Sequence, residues 1–129
     1  MYCLDSDILI AFLRRDANAK FFLKAHEEVG FGITIITYFE LLAGARMSKK
    51  RVENEKSVKL LLGRFPKLGF SPKAADICAR IYAELNARGT PIGIRDVFIG
   101  GICLENRLPI VTRNVGHFRR IKGLEVVPW

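Results

Sequence analysis

No apolar stretch in this 129-residue sequence approaches the roughly 20 residues that span a bilayer. The longest candidate, GITIITYF, is closed by Glu40. The N-terminus has neither a basic leader nor a small-residue cleavage site, so the expectation is a cytoplasmic protein with no membrane partner. Cysteine is scarce and odd in number: Cys3, Cys78 and Cys103, with no CxxC and no Cys/His ligand spacing. That excludes a disulfide framework and a thiolate zinc site, and leaves small buried hydrophobes. No repeat, low-complexity tract or linker-like stretch divides the chain, so residues 1–129 read as one domain. Acidic side chains are the minority, 13 against 21 basic ones, giving a formal net charge of +8. An excess of this sign suits a polyanionic partner, most often nucleic acid.

Half of the residues are hydrophobic, and they fall into alternating short runs. YCLD, GITII, KLGFS, IVT and LEVVP read as strands, the β-branched ones as buried strands. Between them lie helical segments: DILIAFLR, NAKFFLKAHEEV ended by Gly30, TYFELLAGARM, VENEKSVKLLLGRF and RDVFIGGICLENR. The clearest helix is SPKAADICARIYAELNARG, with Ser71 as cap, Pro72 in its first turn and Gly89 past its end. Gly100 and Gly101 inside a helix imply a close approach of another element. Strands separated by helices throughout predict an α/β protein: a three-layer α/β/α sandwich with a short, mainly parallel sheet of about five strands. In such sheets ligands bind beyond the carboxyl ends of the strands, at the point where strand order reverses.

Acids stand at those positions. Asp5 ends the first strand, Glu40 opens the helix after the second, and Asp96 opens the helix before IVT. Each has a local explanation. Asp5, Ser6 and Asp7 all suit a helix cap, Thr37 and Glu40 form a capping-box pattern, and Asp96 favours a helix first turn. Crowding is what capping does not explain. Two carboxylates about 4 Å apart repel by roughly 4 kcal/mol at an effective dielectric of 20. A divalent cation relieves that, and an all-oxygen donor set suits Mg²⁺ or Mn²⁺. Cations held this way activate water for phosphodiester cleavage. Asp7 reads mainly as the cap of the first helix, with a water-mediated role as the alternative.

The segments LDSDILI, TYFELLAGA, IGIRDVFIGG and LPIVTRNVGHFRRIKGLEVVPW, in this order and spacing, resemble the PIN-domain ribonucleases, specifically the VapC-type toxins of toxin–antitoxin pairs. The resemblance covers the whole chain. It implies a metal-dependent endoribonuclease that binds Mg²⁺ or Mn²⁺, cleaves RNA, dimerises and is silenced by a cognate VapB-type antitoxin. By that resemblance Asp5, Glu40 and Asp96 are the metal ligands, with Asn114 at the fourth position. Ser6, Asp7, Thr37 and Thr112 stand beside them. The departure is at the fourth acid, because the places that often carry it hold Asn114 and His117. A catalytically weak or inactive RNA- or protein-binding module is therefore the alternative reading. For the RNA path the candidates are Arg95, Arg113, Arg119 and Lys122. The cluster Arg46, Lys49, Lys50 and Arg51 reads as a solvated turn, and His26 as part of a solvated helix face. Phe12, Phe39, Leu42 and Leu60 read mainly as core, with an antitoxin groove as the alternative. A phospho-receiver domain is excluded, since KLGFS lacks a phosphorylatable Asp and LEVVPW a following Lys.

Overall fold

A computed structural model describes residues 1–129. The chain runs β1 (Tyr2–Leu4), α1 (Ser6–Leu13), α2 (Ala17–Ala25), β2 (Phe31–Thr34), α3 (Ile35–Arg46), α4 (Arg51–Leu62) and β3 (Lys67–Leu68). It continues through α5 (Pro72–Ala87), α6 (Ile94–Glu105), β4 (Ile110–Val111), α7 (Val115–Phe118) and β5 (Val126–Val127). The five strands form one sheet in the order β3-β2-β1-β4-β5, and every pairing is parallel. No helix is long and apolar enough to cross a membrane.

The period of two along a strand sends alternate side chains to opposite faces, and each face has its own core. Leu4 and Val111 join Ile8, Leu9, Ile33, Leu41, Leu61 and Leu62 on one side. Their strand neighbours Cys3 and Ile110 join Cys78, Ile81, Leu85, Val97, Cys103 and Phe118 on the other. Helices α1–α4 cover the first face and α5–α7 the second, which is the expected three-layer sandwich. All three cysteines are buried and free. Gly100 and Gly101 do mark a close approach: a Cβ on Gly101 would collide with Sγ of Cys78 on α5, and one on Gly100 with the Ile121 side chain.

Several local expectations change. Helix α1 is capped by Asp5, whose side chain accepts from the Ser6 amide at 2.8 Å, and not by Asp7. Helix α3 is capped by Thr34, which accepts from the Thr37 amide at 3.0 Å. The capping-box pattern of Thr37 and Glu40 is thus displaced by one turn, and Glu40 lies in the second turn instead of opening the helix. The reason is the sheet: β2 pairs with β3 through Thr34, so the helix begins as soon as that pairing ends. His26 does not face solvent freely. It stacks on Phe22 at 4.1 Å and bonds the Phe22 carbonyl through Nδ1 at 2.8 Å. Within the basic turn, Arg46 is committed to Glu55 at 3.1 Å, while Lys49, Lys50 and Arg51 are exposed.

Candidate active site

The chain leaves β1 toward β2 and β3 on one side and returns to β4 and β5 on the other, so the strand order reverses between β1 and β4. Asp5 follows β1 and Thr112 follows β4 at that point. Sheet hydrogen bonds set them side by side: the Asp5 amide donates to the Val111 carbonyl at 3.0 Å, and the Thr112 amide to that of Val127 at 3.1 Å. The Thr112 hydroxyl then donates to Oδ2 of Asp5 at 2.7 Å, and accepts from the Asn114 amide at 3.0 Å. Asp5 is only 6% exposed and Thr112 is fully buried.

Asp7 lies one step outward. Its Oδ2 accepts from the Arg113 amide at 2.8 Å and stands 3.2 Å from the Thr112 hydroxyl, while its Oδ1 accepts from the Trp129 indole at 3.1 Å. The Arg113 guanidinium stacks over the Trp129 ring, 3.5 Å from its centroid. Asp7 therefore clamps the closing segment to α1. Sequence reasoning missed Trp129 in this role. The only available signal was its place in the LEVVPW run that carries the resemblance.

The first turn of α6 presents Asp96. Its Oδ2 lies 2.9 Å from Nδ1 of His117 and 3.2 Å from Nδ2 of Asn114. Glu40 projects from α3 and pairs with Arg95 at 3.5 Å. Its other oxygen, Oε1, is buried without a hydrogen-bond partner. Such an acceptor costs about 1–3 kcal/mol unless something positive reaches it. As the side chains stand, no three His, Cys, Asp or Glu residues form a ready cation cage. The acids are instead held by the hydroxyl of Thr112, the guanidinium of Arg95, and Asn114 with His117.

Charge follows from this arrangement. Burial pushes the Asp5 carboxyl up to about 7; the charges of Asp7 and Asp96 add to the rise, and the bonds from Thr112 and Ser6 offset part of it. Burial likewise raises Glu40, with Arg95 and the Ser6 hydroxyl opposing and Asp96 reinforcing. The site is thus short of positive charge. The residues fit a hard divalent cation on two counts, the oxygen-rich donor set and the partnerless Oε1 of Glu40.

Of the residues read from sequence, Asp5, Ser6, Asp7, Glu40, Arg95, Asp96, Thr112, Arg113 and Asn114 are linked by these contacts and charges. Thr37 is not: it is buried at the start of α3 and its amide and hydroxyl engage Thr34. Arg119 and Lys122 are exposed beyond α7.

Fold and site together define a doubly wound α/β protein with a carboxylate cluster at its topological switch point. The profile of the PIN domain matches residues 2–124. A tRNA(fMet)-specific endonuclease VapC of Salmonella typhimurium is 35% identical over 97 residues, covering 75% of this chain and 74% of that protein. Ribonuclease VapC2 of Rickettsia felis is 26% identical over 133 residues, covering 100% and 98%. The chain belongs to the PIN-domain family and, within it, to the VapC ribonucleases. Among solved structures, VapBC2 from Rickettsia felis bound to a DNA fragment from their promoter superposes with a TM-score of 0.92 at 26% identity, covering 99% of this chain and 98% of that one. DNA-bound VapBC from Salmonella typhimurium superposes with a TM-score of 0.91 at 28% identity, covering 99% and 97%.

Proposed function

We propose that this chain is a metal-dependent endoribonuclease, the toxin of a toxin–antitoxin pair, acting in the cytoplasm and silenced by a VapB-type antitoxin. The observation that carries the reading is the buried, partnerless Oε1 of Glu40, in a site where the charge of Asp96 raises both Asp5 and Glu40. Asp5, Glu40 and Asp96 would hold one Mg²⁺ or Mn²⁺. When bound, that cation supplies Lewis acidity and a water of lowered pKa. The chain's own groups do the rest. Thr112 fixes the carboxylate of Asp5 by donating to Oδ2, and the burial of Asp5 keeps bulk water from screening it. Asn114 supplies a neutral amide where a further acid would repel the RNA. Exposed Arg113, Arg119 and Lys122 follow the site and would track phosphates, with Arg113 oriented by its stack on Trp129. Arg95 is placed to trade Glu40 for a phosphate. Phe39 and Ile94, the chain neighbours of Glu40 and Arg95, are exposed, and they offer an apolar face for a homodimer.

The test is RNA cleavage with end analysis. Hydrolysis leaves a 5′-phosphate and a 3′-hydroxyl; a cyclic phosphate end would overturn the mechanism. Asp96→Asn should abolish cleavage, and binding should weaken steeply with salt. The engagement of Asp96 by His117 and Asn114 favours, as a second reading, a binding module without turnover. RNA bound but left uncut in Mn²⁺ would establish that reading.

A further inference from the structure

A cleft of about 430 Å³ opens beside the acids, between the C-terminal half of α1 and the closing segment. Asp7, Arg14, Asp16, Arg113 and Trp129 line it, with Ile10 adding apolar surface. Its volume falls in the range of about 300–1,000 Å³ that bound ligands occupy. The link to the acids is short. Oδ2 of Asp7 is 3.2 Å from the Thr112 hydroxyl, and that hydroxyl is 2.7 Å from Oδ2 of Asp5. Part of the lining is a preformed stack, in which the Arg113 guanidinium lies 3.5 Å from the centroid of the Trp129 ring. Asp7 fixes both partners, accepting from the indole at 3.1 Å and from the Arg113 amide at 2.8 Å. The remaining polar groups have capacity to spare. Arg14 is exposed and enters no salt bridge. Asp16 uses Oδ1 to cap α2 through the Ala19 amide at 3.0 Å, which leaves Oδ2 free.

We propose that this cleft is a base-recognition subsite that takes one unpaired purine of the RNA, next to the phosphate to be cut. The inference rests on the ribonuclease reading given above. Unpaired RNA bases are held by stacking on aromatic rings and guanidinium planes and by hydrogen bonds to their edges. The Arg113–Trp129 pair supplies such a plane, and its bonds to Asp7 immobilise it before RNA arrives, which lowers the ordering cost of binding. Two fused rings cover more of that plane than one. Only purines carry N7, an acceptor suited to the guanidinium of Arg14. The exocyclic amine of adenine or guanine can donate to the free Oδ2 of Asp16, since an ionised carboxylate only accepts. Arg113 uses Nε on the Trp129 carbonyl, at 3.5 Å, so its terminal N–H groups stay available for a phosphate. The face and the edge of one guanidinium then serve neighbouring parts of one nucleotide.

Trp129 is the chain's one tryptophan, so its emission reports this cleft alone. The experiment titrates the full chain, in EDTA so that nothing is cut, with short single-stranded RNA probes: oligouridylate, and the same oligomer with one central adenine. Anisotropy of a dye on the RNA reads affinity, and indole fluorescence reads the cleft. The adenine probe should quench Trp129 and bind about fivefold to a hundredfold more tightly, the range of one base–aromatic stack. Oligouridylate should bind through its phosphates and leave the emission nearly unchanged. A 7-deazaadenine probe should lose part of the preference, and Arg14→Met should weaken the adenine probe more than oligouridylate. In MnCl₂ the adenine probe should be cut at a phosphate adjoining the purine; cuts spread evenly along it overturn the placement. Equal weakening of both probes by Arg14→Met overturns the N7 contact. Equal affinity for the two probes with unchanged Trp129 emission overturns the subsite and leaves the ribonuclease reading intact. Failure to bind any probe overturns both.

Discussion

The two flanks of the site hold their acids in different ways. On the β1–β4 flank, Asp5 and Asp7 are tied down by Thr112, two backbone amides and the Trp129 indole, all at 2.7–3.1 Å except the outer Thr112–Asp7 contact. On the α3–α6 flank, Glu40 has one loose guanidinium at 3.5 Å and an oxygen with no partner, and Asp96 is held only by the side chains of Asn114 and His117. The first flank draws on backbone amides and β-sheet register, the second on side chains alone. A stiff wall facing an adjustable one lets a site keep a fixed anchor while its remaining groups reorganise around what binds.

The largest expected effect separates function from stability on the stiff flank. Asp5→Asn keeps one acceptor, for the Ser6 amide, turns an amide nitrogen toward the Thr112 hydroxyl, which can accept from it, and removes a buried charge. RNA cleavage should fall by at least about 100-fold, the magnitude typical of losing one key electrostatic group, while the metal-free melting temperature holds or rises. A variant that melts well below the wild type would show that Asp5 is held mainly for structure. Next in size is pH. The Asp5 carboxyl sits near 7 in the fold against 3.8 unperturbed, so between those values the folded chain keeps a proton that the unfolded chain has released. Its contribution to stability is full below about pH 4 and is lost as pH rises through 7. Metal-free melts across this window should show that decline, and Asp5→Asn should flatten it.

Smaller effects probe the same contrast. Thr112→Val keeps shape but strands the buried Oδ2 of Asp5, which should cost about 1–3 kcal/mol in urea unfolding. Arg95→Met on the adjustable flank removes an ion pair in which the Arg95 side chain is more than half exposed. Its cost should stay under about 1 kcal/mol, although RNA affinity falls. Equal losses for the two variants would erase the distinction between the flanks.

Much of this was readable in advance. Five apolar runs with helices between them predicted the parallel three-layer sheet, and the place of Asp5 after the first strand put it at the switch point in strand order. The roles of Asp7 and Thr37 were not readable. Asp5 and Asp7 are both sound helix caps, and Thr34 and Thr37 are both sound caps of α3; propensity alone does not choose between them. The choice came from partners far along the chain: Val111 and Thr112 for Asp5, Arg113 and Trp129 for Asp7, and the pairing of Thr34 with Leu68 for the start of α3.

The sequence by itself determined the layers and the strand count, because hydrophobic period is a local property. Only the tertiary structure decided which acid caps and which clamps. It also decided that His117 meets Asp96 and that Glu40 keeps an oxygen without a partner. Those outcomes depend on sheet order and register, which bring residues 5 and 112, or 96 and 117, within hydrogen-bond reach.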